Sequence, residues 1–261
     1  MNSARYICIF TAALSVSSAF AQPAYETALK NLKFRSIGPA TMGGRLDDIA
    51  VVESDPRIIY IGAAAGGLFK TVNGGITWKA LFEDQPNPSI GAIAIAPSNP
   101  SIVYVGTGES NNRQSSSWGN GVYKTMDGGV SWSHLGLPET HHIGRVAVHP
   151  TDPNIVYVAA LGDLWGPNKE RGVFRSTDGG ASWTQTLTID SDTGVSDIAI
   201  DSQSPNILYA TAYQHRRTVF GYNGGGPGSG LYRSTDSGAH WTKMTKGLPA
   251  TGDMGRCALS I

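Results

Sequence analysis

Short runs of β-branched and aromatic residues, separated by turn residues, recur along this chain in sets. The first run of each set lies at 49–51, 93–95, 146–148 and 198–200, and the second at 58–61, 102–105, 155–158 and 207–210. Runs of this kind between glycine, proline and asparagine predict β-strands. No repeat shows the 3.6-residue apolar spacing of a helix, so a helical solenoid is not predicted.

A longer segment follows each pair of runs and repeats with few changes. It begins with glycine, ends with tryptophan, and occupies 67–78, 121–132, 172–183 and 230–241. The tryptophans at 78, 132, 183 and 241 follow one another at steps of 54, 51 and 58 residues. Each segment supplies a third strand, a turn and a fourth strand, so each unit of about fifty residues has four strands.

Repeated four-stranded units of this length are typical of the blades of a β-propeller. We therefore predict an all-β fold, a β-propeller of four-stranded blades at about 44–84, 88–136, 141–187 and 194–246. Because 255–261 aligns with 144–150, we interpret 254–261 as the first strand of a fifth blade. This interpretation predicts an incomplete propeller with its remaining blades and domains in a longer chain; closure by self-association is the alternative.

The turn of each segment is an Asp-box, Ser/Thr-x-Asp-x-Gly-x-x-Trp. We expect its aspartate to accept hydrogen bonds from backbone N–H groups of the same turn, a role that Asn73 takes in the first repeat. The glycine adopts backbone angles that other residues resist, and the tryptophan is expected to pack between blades. The recurring aspartates Asp127, Asp178 and Asp236 are therefore predicted to be structural rather than catalytic.

The N-terminus has the pattern of a secretory signal peptide. Arg5 precedes an apolar run at 7–16, and small residues follow up to Ala19-Phe20-Ala21. The run of about ten apolar residues is shorter than the roughly twenty that a membrane span needs. We therefore predict that residues 1–21 are removed after Ala21, which leaves 22–261 as a secreted or periplasmic protein without a membrane span.

Composition argues against several classes of partner. Lys plus Arg and Asp plus Glu each number 20, so no surplus of positive charge is available to neutralise nucleic-acid phosphates. Cys8 lies in the signal peptide, which leaves Cys257 without an intrachain disulfide partner. His141 and His142 are adjacent but have no third metal ligand beside them. We predict no nucleic-acid partner, no metal site and no cofactor.

Propeller geometry separates the loops between two faces. The Asp-box turns share one face, whereas the loops between second and third strands share the other face with the links between blades. Unusual residues gather in the loops 106–118, 161–171 and 213–228 and in the link 138–142, all on this second, long-loop face. Long polar and aromatic loops on a rigid scaffold predict a binding site.

Aligning the first strands adds a set of charges at the mouth of the central channel. Asp48, Ala92, Arg145, Asp197 and Arg256 share one position. Charges here indicate either ligand contact or a solvated channel lining with ion pairs. The residues predicted to bind a ligand are Arg45, Asn112, Arg113, Trp118, His142, Arg145, Trp165 and Arg171.

The Asp-boxes, the stretch Tyr-Val-Gly-Thr-Gly-Glu at 104–109 and the stretch Arg-Gly-Val-Phe-Arg-Ser-Thr-Asp-Gly-Gly at 171–180 carry a family resemblance. The chain resembles the N-terminal propeller of exported bacterial proteins related to the sortilin ectodomain, often labelled BNR-repeat glycosyl hydrolases. The resemblance covers about 34–261 and implies an Asp-box propeller. It does not fix the activity, because such propellers include sialidases, xyloglucanases and pure binding proteins.

Neither enzyme template matches residue by residue. Xyloglucanases carry a catalytic Asp in a first-blade stretch similar to Tyr-Ala-Arg-Thr-Asp-x-Gly-Gly, and the matching stretch 60–67 has Ala64 at that place. One of the two carboxyls expected for glycoside hydrolysis is therefore missing. For a sialidase, Arg45, Arg145 and Arg256 could supply the guanidinium groups, but no Tyr–Glu pair can be placed.

The leading hypothesis is a binding or scaffold propeller that holds a peptide or glycan on the long-loop face. The alternative is a sialidase- or xyloglucanase-like glycoside hydrolase with a non-standard carboxyl set, whose catalytic candidates are Glu109, Asp48, Asp163 and Asp197. An assembly factor, as in the Asp-box propeller that assists photosystem II, is a third possibility.

Overall fold

The computed structural model describes residues 44–249 and 253–261, so the predicted signal peptide lies outside the described residues. The described backbone forms four antiparallel sheets of four strands each and one additional two-stranded hairpin. The helical element among these residues is a single 3-10 turn at Pro138–Thr140. This content agrees with the all-β fold that the sequence predicts.

The strands follow the chain in order within each sheet. The first sheet contains β1 (Leu46–Val51), β2 (Ile59–Ala63), β3 (Gly67–Thr71) and β4 (Lys79–Ala80), and the second contains β5 (Ile90–Ile95), β6 (Val103–Thr107), β7 (Val122–Thr125) and β8 (Ser133–His134). The third contains β9 (Ile143–Val148), β10 (Val156–Ala160), β11 (Gly172–Ser176) and β12 (Thr184–Leu187). The fourth contains β13 (Thr193–Ile200), β14 (Leu208–Gln214), β17 (Gly230–Ser234) and β18 (Thr242–Met244), with the hairpin β15 (Arg216–Arg217) and β16 (Tyr222–Asn223) inserted between β14 and β17.

The four sheets are arranged as consecutive blades. Their first strands lie side by side, with β1 against β5, β5 against β9, and β9 against β13. The first strands are therefore innermost, and the short fourth strands are farthest from the common axis. Apolar clusters fill the space between adjacent sheets, as in the cluster of Tyr60, Leu68 and Phe82 with Val103 and Val105. These features confirm a β-propeller fold of four-stranded blades.

The same bulge interrupts all four first strands close to the long-loop face. The pairing between first and second strands skips Asp47 in the first sheet and the equivalent Gly91, Gly144 and Ser196 in the others. A bulge changes the direction in which the neighbouring side chains point. Glycine at this place also lets adjacent blades approach, because a Cβ on Gly144 would lie 2.5 Å from the carbonyl oxygen of Ser196.

Each blade is joined to the Asp-box turn of the next blade by side-chain hydrogen bonds. The hydroxyl of Tyr60 and the Nζ of Lys70 donate to the carbonyl oxygen of Gly128, at 3.1 and 2.9 Å. The pattern recurs with Tyr104 and Lys124 on Gly179 and with Tyr157 on Ser237. One tyrosine position therefore makes the same bridge at three successive blade boundaries.

Two of the Asp-box tryptophans donate hydrogen bonds back to the preceding blade. The indole N–H of Trp132 donates to the carbonyl oxygen of Leu81 at 3.1 Å, and that of Trp183 donates to Leu135 at 2.8 Å. Both acceptors belong to the preceding blade, as expected for a tryptophan that packs between blades. Trp78 in the first described blade instead donates to Gly75 of its own turn and remains 42% exposed.

The Asp-box aspartates hold their own turns, in agreement with the structural role predicted for them. Asp127 accepts from the hydroxyl of Thr125 at 2.6 Å and from the backbone N–H groups of Val130 and Ser131, both at 2.9 Å. Equivalent hydrogen bonds, led by that from the Ser182 hydroxyl, lower the pKa of Asp178 to about 2. Asn73 replaces aspartate as predicted and accepts from the N–H of Thr77 at 2.9 Å.

The segment predicted to begin a fifth blade lies beside β13. Met254 forms an isolated bridge with Gly226, and the N–H of Leu259 donates to a carboxylate oxygen of Asp197 at 2.9 Å. Ile93 makes the equivalent type of contact with Asp48 between the first two blades. No second strand pairs with this segment among the described residues, and it does not form a β-strand ladder. The described residues also contain no helix long and apolar enough to cross a membrane.

Candidate functional site

Four segments surround the mouth of the channel on the long-loop face. They are the loop 106–121 of the second blade, the link 138–142, the loop 161–171 of the third blade and the hairpin 215–223 of the fourth blade. Hydrogen bonds join neighbouring segments. Asn168 Nδ2 donates to the carbonyl oxygen of Glu139 at 2.9 Å, and the N–H of Arg217 donates to Leu164 at 2.9 Å. The predicted face is therefore a connected ring of loops.

A buried ion pair attaches the 106–121 loop to the first blade. Arg45 donates from Nε to Glu109 Oε1 at 2.8 Å and from Nη2 to Oε2 at 2.5 Å. The side chain of Glu109 is fully buried, whereas that of Arg45 is 36% exposed. Arg113 Nε lies 3.9 Å from the same carboxylate. The predicted ligand residues Arg45 and Arg113 and the catalytic candidate Glu109 therefore come together. Both carboxylate oxygens of Glu109 are already bonded to Arg45.

Asp47, which the sequence interpretation did not select, lies beside this pair. Its carboxylate accepts from the N–H of Ser110 at 2.7 Å and from the side chain of Asn111. Burial raises the pKa of Asp47, and the charge of Glu109 raises it further, against the lowering effect of these hydrogen bonds. The sequence did contain a signal, because Asp47 stands at the bulge position that Gly91, Gly144 and Ser196 occupy in the other blades.

The aligned charges at the channel mouth form an ion-pair bridge. Arg145 Nε lies 3.0 Å from Asp197 Oδ1, and its Nη1 lies 3.7 Å from Asp48 Oδ1. Each aspartate also accepts a backbone N–H of the next segment, Ile93 for Asp48 and Leu259 for Asp197. Burial raises the pKa of Asp48. Three of the aligned charges, Asp48, Arg145 and Asp197, therefore pair with one another, and contact of this set with a ligand stays a prediction.

Trp118 and His142 lie together at the 138–142 link, at different depths. Trp118 is 53% exposed, and its ring packs edge-on against His141 with centroids 5.3 Å apart. His142 is 3% exposed, and its Nδ1 lies 2.9 Å from the carbonyl oxygen of Glu109. Burial lowers the pKa of His142 to about 4, so its imidazole is neutral at pH 7. Trp118 therefore presents a surface for contact, and His142 supports the loops beneath it.

Arg171 lies inside the 161–171 loop and not on its surface. Its guanidinium donates to the carbonyl oxygens of Leu161 at 2.9 Å, Gly166 at 2.8 Å and Asp192 at 3.3 Å, and also to Asp163. Burial lowers its pKa to about 10. A side chain with no exposed surface has no room for a direct ligand contact. The predicted ligand-binding role of Arg171 does not fit this position, and we assign it a positioning role for the loop.

The exposed aromatic residue of this loop is Trp165. Its N–H donates to the carboxylate of Asp163 at 2.9 Å, which fixes the turn that carries the indole ring. Trp165 is 36% exposed. Asp163, a catalytic candidate, is therefore engaged in a local turn, whereas Trp165 is exposed and its ligand-binding role stays a prediction.

The hairpin of the fourth blade reaches the loop of the second blade. Asn112 Nδ2 donates to the hydroxyl of Tyr213 at 3.3 Å and also contacts the hydroxyl of Tyr222. Arg256 donates to Asn111 Oδ1 at 2.9 Å. The sequence placed Tyr213 and Tyr222 in a long loop without singling them out, because a contact between non-adjacent blades leaves no local pattern.

Among the described residues, no group of three or more His, Cys, Asp or Glu side chains is arranged to hold a metal ion. The chemistry available on this face comes from exposed aromatic rings, guanidinium groups and amides around partly buried carboxylates. Such a surface suits the recognition of a polar ligand that also has apolar faces.

The part of the chain that holds these repeated blades matches a known family. A sequence profile described as Sortilin, neurotensin receptor 3, matches residues 120–251, about half of the chain. The chain belongs to the Sortilin-Vps10 family.

Curated relatives of this Sortilin-Vps10 chain include xyloglucanases. A Paenibacillus xyloglucanase is 25% identical over 89% of this chain and 24% of its own length. A xyloglucanase of Acetivibrio thermocellus is 24% identical over 92% of this chain and 30% of its own length. One of Hypocrea jecorina is 25% identical over 77% of this chain and 26% of its own length. The chain thus spans about a quarter to a third of the relatives that it matches.

Solved structures with the same fold include GH74 enzymes. An ancestral GH74 enzyme superposes with a TM-score of 0.61 and 22% identity, over 80% of this chain and 27% of the other. The GH74 xyloglucanase of Xanthomonas campestris gives a TM-score of 0.58 and 19% identity, over 83% of this chain and 32% of the other. At these identities the likeness establishes the fold of the Sortilin-Vps10 chain.

Proposed function

We propose that this chain binds a polysaccharide of the β-glucan type across its long-loop face, as part of a larger, exported, glycan-active protein. The observation that carries the proposal is the pair of exposed tryptophans, Trp118 and Trp165, on loops fixed by buried polar contacts. Flat aromatic rings stack on the apolar faces of sugar rings and lose little conformational entropy on binding. The xyloglucanase relatives support a glycan over a peptide as the ligand.

Substitution of Trp165 by alanine is expected to weaken binding of xyloglucan by about 10- to 30-fold, because an exposed aromatic anchor at the centre of an interface contributes about 2 kcal/mol. The measurement is isothermal titration with soluble xyloglucan. Trp78→Ala is the matched control, since Trp78 is 42% exposed but belongs to an Asp-box, on the opposite face. Equal affinity of the Trp165 variant and the unaltered chain would remove the assignment of this face.

Hydrolysis by the same face is the second candidate function, and the relatives favour it over a scaffold role. The supporting observation is that burial raises the pKa of both Asp47 and Asp48. A glycoside hydrolase needs a carboxyl group that stays protonated to donate to the leaving oxygen, and a raised pKa favours that state. Glu109 is less suited to this role, because Arg45 donates charged hydrogen bonds to both of its oxygens at 2.8 and 2.5 Å, whereas the guanidinium of Arg145 lies 3.7 Å from Asp48.

If Asp48 is the proton donor, Asp48→Asn is expected to lower the rate of xyloglucan hydrolysis about 100-fold, the usual minimum contribution of general acid catalysis. The measurement is the release of reducing ends at saturating substrate. Asp55→Asn is the control, since Asp55 is an aspartate paired with Arg57 in the turn between β1 and β2, away from the long-loop face. Unchanged hydrolysis by the Asp48 variant would exclude this role, and absence of hydrolysis by the unaltered chain would leave binding as its function.

A further inference from the structure

Two similar grooves lie beside the Asp-box turns of the third and fourth blades. The third-blade groove is lined by Arg175, Thr177, Ser182 and residues 184–186, and the fourth-blade groove by the equivalent Arg233, Thr235, His240 and residues 242–244. Their volumes are about 450 and 480 Å³, within the range of roughly 300–1,000 Å³ that is usual for small-molecule sites. The same surface feature therefore occurs in two blades, on the face opposite the long loops.

A neighbouring blade borders such a groove without filling it. Ala239, in the Asp-box turn of the fourth blade, forms part of the lining of the third-blade groove, which still has a volume of about 450 Å³. The boundary between two packed blades therefore leaves this space open, and the groove is not merely the gap into which the next blade fits.

The arginine of each groove is used differently from the lysine at the same place in the first two blades. Lys70 and Lys124 donate to the carbonyl oxygen of the next Asp-box turn, at 2.9 and 3.2 Å. The equivalent Arg175 and Arg233 each have a buried Nε without a hydrogen-bond partner among the described residues. A buried donor without a partner costs free energy, which an acceptor on a ligand can offset.

Positive charge distinguishes the fourth-blade groove from that of the third blade. Lys243 and Lys246 line it, both exposed, where the third blade has Gln185 and Thr188. Lys243 Nζ donates to the carbonyl oxygen of Pro227 at 3.1 Å, which leaves two of its three N–H groups for a ligand.

The one carboxylate in the lining of this groove is already engaged in its own turn. Asp236 accepts from the Ser234 hydroxyl at 2.8 Å and from the N–H of His240 at 2.9 Å, and it lies 2.6 Å from His240 Nδ1. Arg233 and the two lysines therefore give the groove a surplus of positive charge. Guanidinium and ammonium groups in this arrangement suit an oxyanion, because charge-assisted hydrogen bonds are the stronger ones.

The remaining lining suits a sugar acid better than a bare ion. Thr235, Thr242 and Thr245 add hydroxyl groups, which both donate and accept, and Met244 adds an apolar surface. A volume of about 480 Å³ leaves room for a hydroxylated ring in addition to its charged substituent.

We propose that the fourth-blade groove is a binding site for an acidic polysaccharide, in which Arg233, Lys243 and Lys246 hold a carboxylate or sulfate group of one sugar unit. The inference does not depend on the proposed function, because the groove and the long loops lie on opposite faces. It adds a second glycan site with the opposite preference, for a charged ligand over a neutral one.

The test uses polygalacturonate, dextran sulfate and neutral dextran in isothermal titrations with the full chain. The unaltered chain is expected to bind at least one of the two acidic polymers and not dextran. This binding should weaken at least fivefold when the salt concentration rises from about 0.05 M to about 0.5 M, because salt screens exposed charges. The stronger acidic ligand identifies the preferred group, carboxylate or sulfate.

The variants take their new residues from the third blade, so the shape of the groove is kept. Lys243→Gln and Lys246→Thr are each expected to weaken binding of the acidic polymer about three- to fivefold, and both together at least about tenfold. Lys79→Gln is the control, since Lys79 is an exposed lysine in β4 that lines neither groove, and it should leave the affinity unchanged.

Four outcomes would overturn the inference. They are no binding of either acidic polymer, equal binding of dextran, an equal loss for Lys79→Gln, and an unchanged affinity in the double variant. Titration with xyloglucan separates the two faces, because the double variant should bind it as the unaltered chain does. If the unaltered chain binds an acidic polymer but not xyloglucan, the proposed function fails and the groove assignment stands.

Discussion

Replacement of Gly108 by alanine is expected to destabilise the propeller by more than about 4 kcal/mol, a range that few mechanisms reach, and severe overpacking is one of them. Gly108 has φ +90°, and a Cβ built on it would overlap the carbonyl oxygen of His141 and lie 2.8 Å from the N–H nitrogen of Gly119. Both neighbours are backbone atoms, so no side-chain rotation can relieve the conflict. The residue also directly precedes Glu109, and its displacement would move the 106–121 loop.

The measurement is the free energy of unfolding in urea, followed by tryptophan fluorescence. Gly136→Ala is a close control, because Gly136 has φ +91° but no atom within 4 Å of the position of a Cβ. That variant should lose only the cost of the left-handed backbone, about 1 to 2 kcal/mol. Similar losses in the two variants would mean that the close approach of the link to Gly108 is not an important part of the fold.

Replacement of Arg45 by methionine is expected to cost about 3 to 5 kcal/mol, because it leaves a buried carboxylate without its partner. The side chain of Glu109 is fully buried, and the remaining cation, Arg113 Nε, is 3.9 Å away. The double variant Arg45→Met, Glu109→Met should recover much of the loss, since it removes the buried charge as well. The difference is measured as a double-mutant cycle in the free energy of unfolding.

A surface ion pair of similar geometry serves as the control for this cycle. Arg57 Nη2 lies 2.8 Å from Asp55 Oδ2, but the arginine side chain is 73% exposed. Arg57→Met is expected to leave the free energy of unfolding almost unchanged, because solvent and salt screen an exposed pair. A loss for Arg45→Met no larger than this control would show that Glu109 gains water or a proton once its partner is removed.

The blade architecture could be predicted from the sequence because its signals are local and repeated. The Asp-box residues meet within a single turn, so one segment of twelve residues contains all the partners of Asp127. Strands such as β6 are fully buried runs whose residue types match the pattern on which they were predicted. Because the strand and turn pattern occurs four times, the prediction rests on four aligned copies and not on one.

The candidate site was less predictable because its contacts are distant in the sequence. The pair Arg45–Glu109 joins residues 64 positions apart, and the contact of Asn112 with Tyr222 joins residues 110 positions apart. The position of Arg171 was mispredicted for a different reason. A charged residue in a loop is usually exposed, but Arg171 is buried inside its loop, where it donates to four carbonyl oxygens. A single sequence holds no information that separates these two outcomes.

The hydrogen bonds from tyrosine and lysine to the next Asp-box affect how such proteins can evolve. They fix each blade to its neighbour entirely on the side of the molecule away from the loops. An insertion between second and third strands, such as the one that contains β15 and β16, leaves these bridges untouched. Doubling the length of a flexible loop costs only about 0.6 kcal/mol in closure entropy. New specificities can therefore be acquired one loop at a time, on a scaffold that does not have to be rebuilt for each of them.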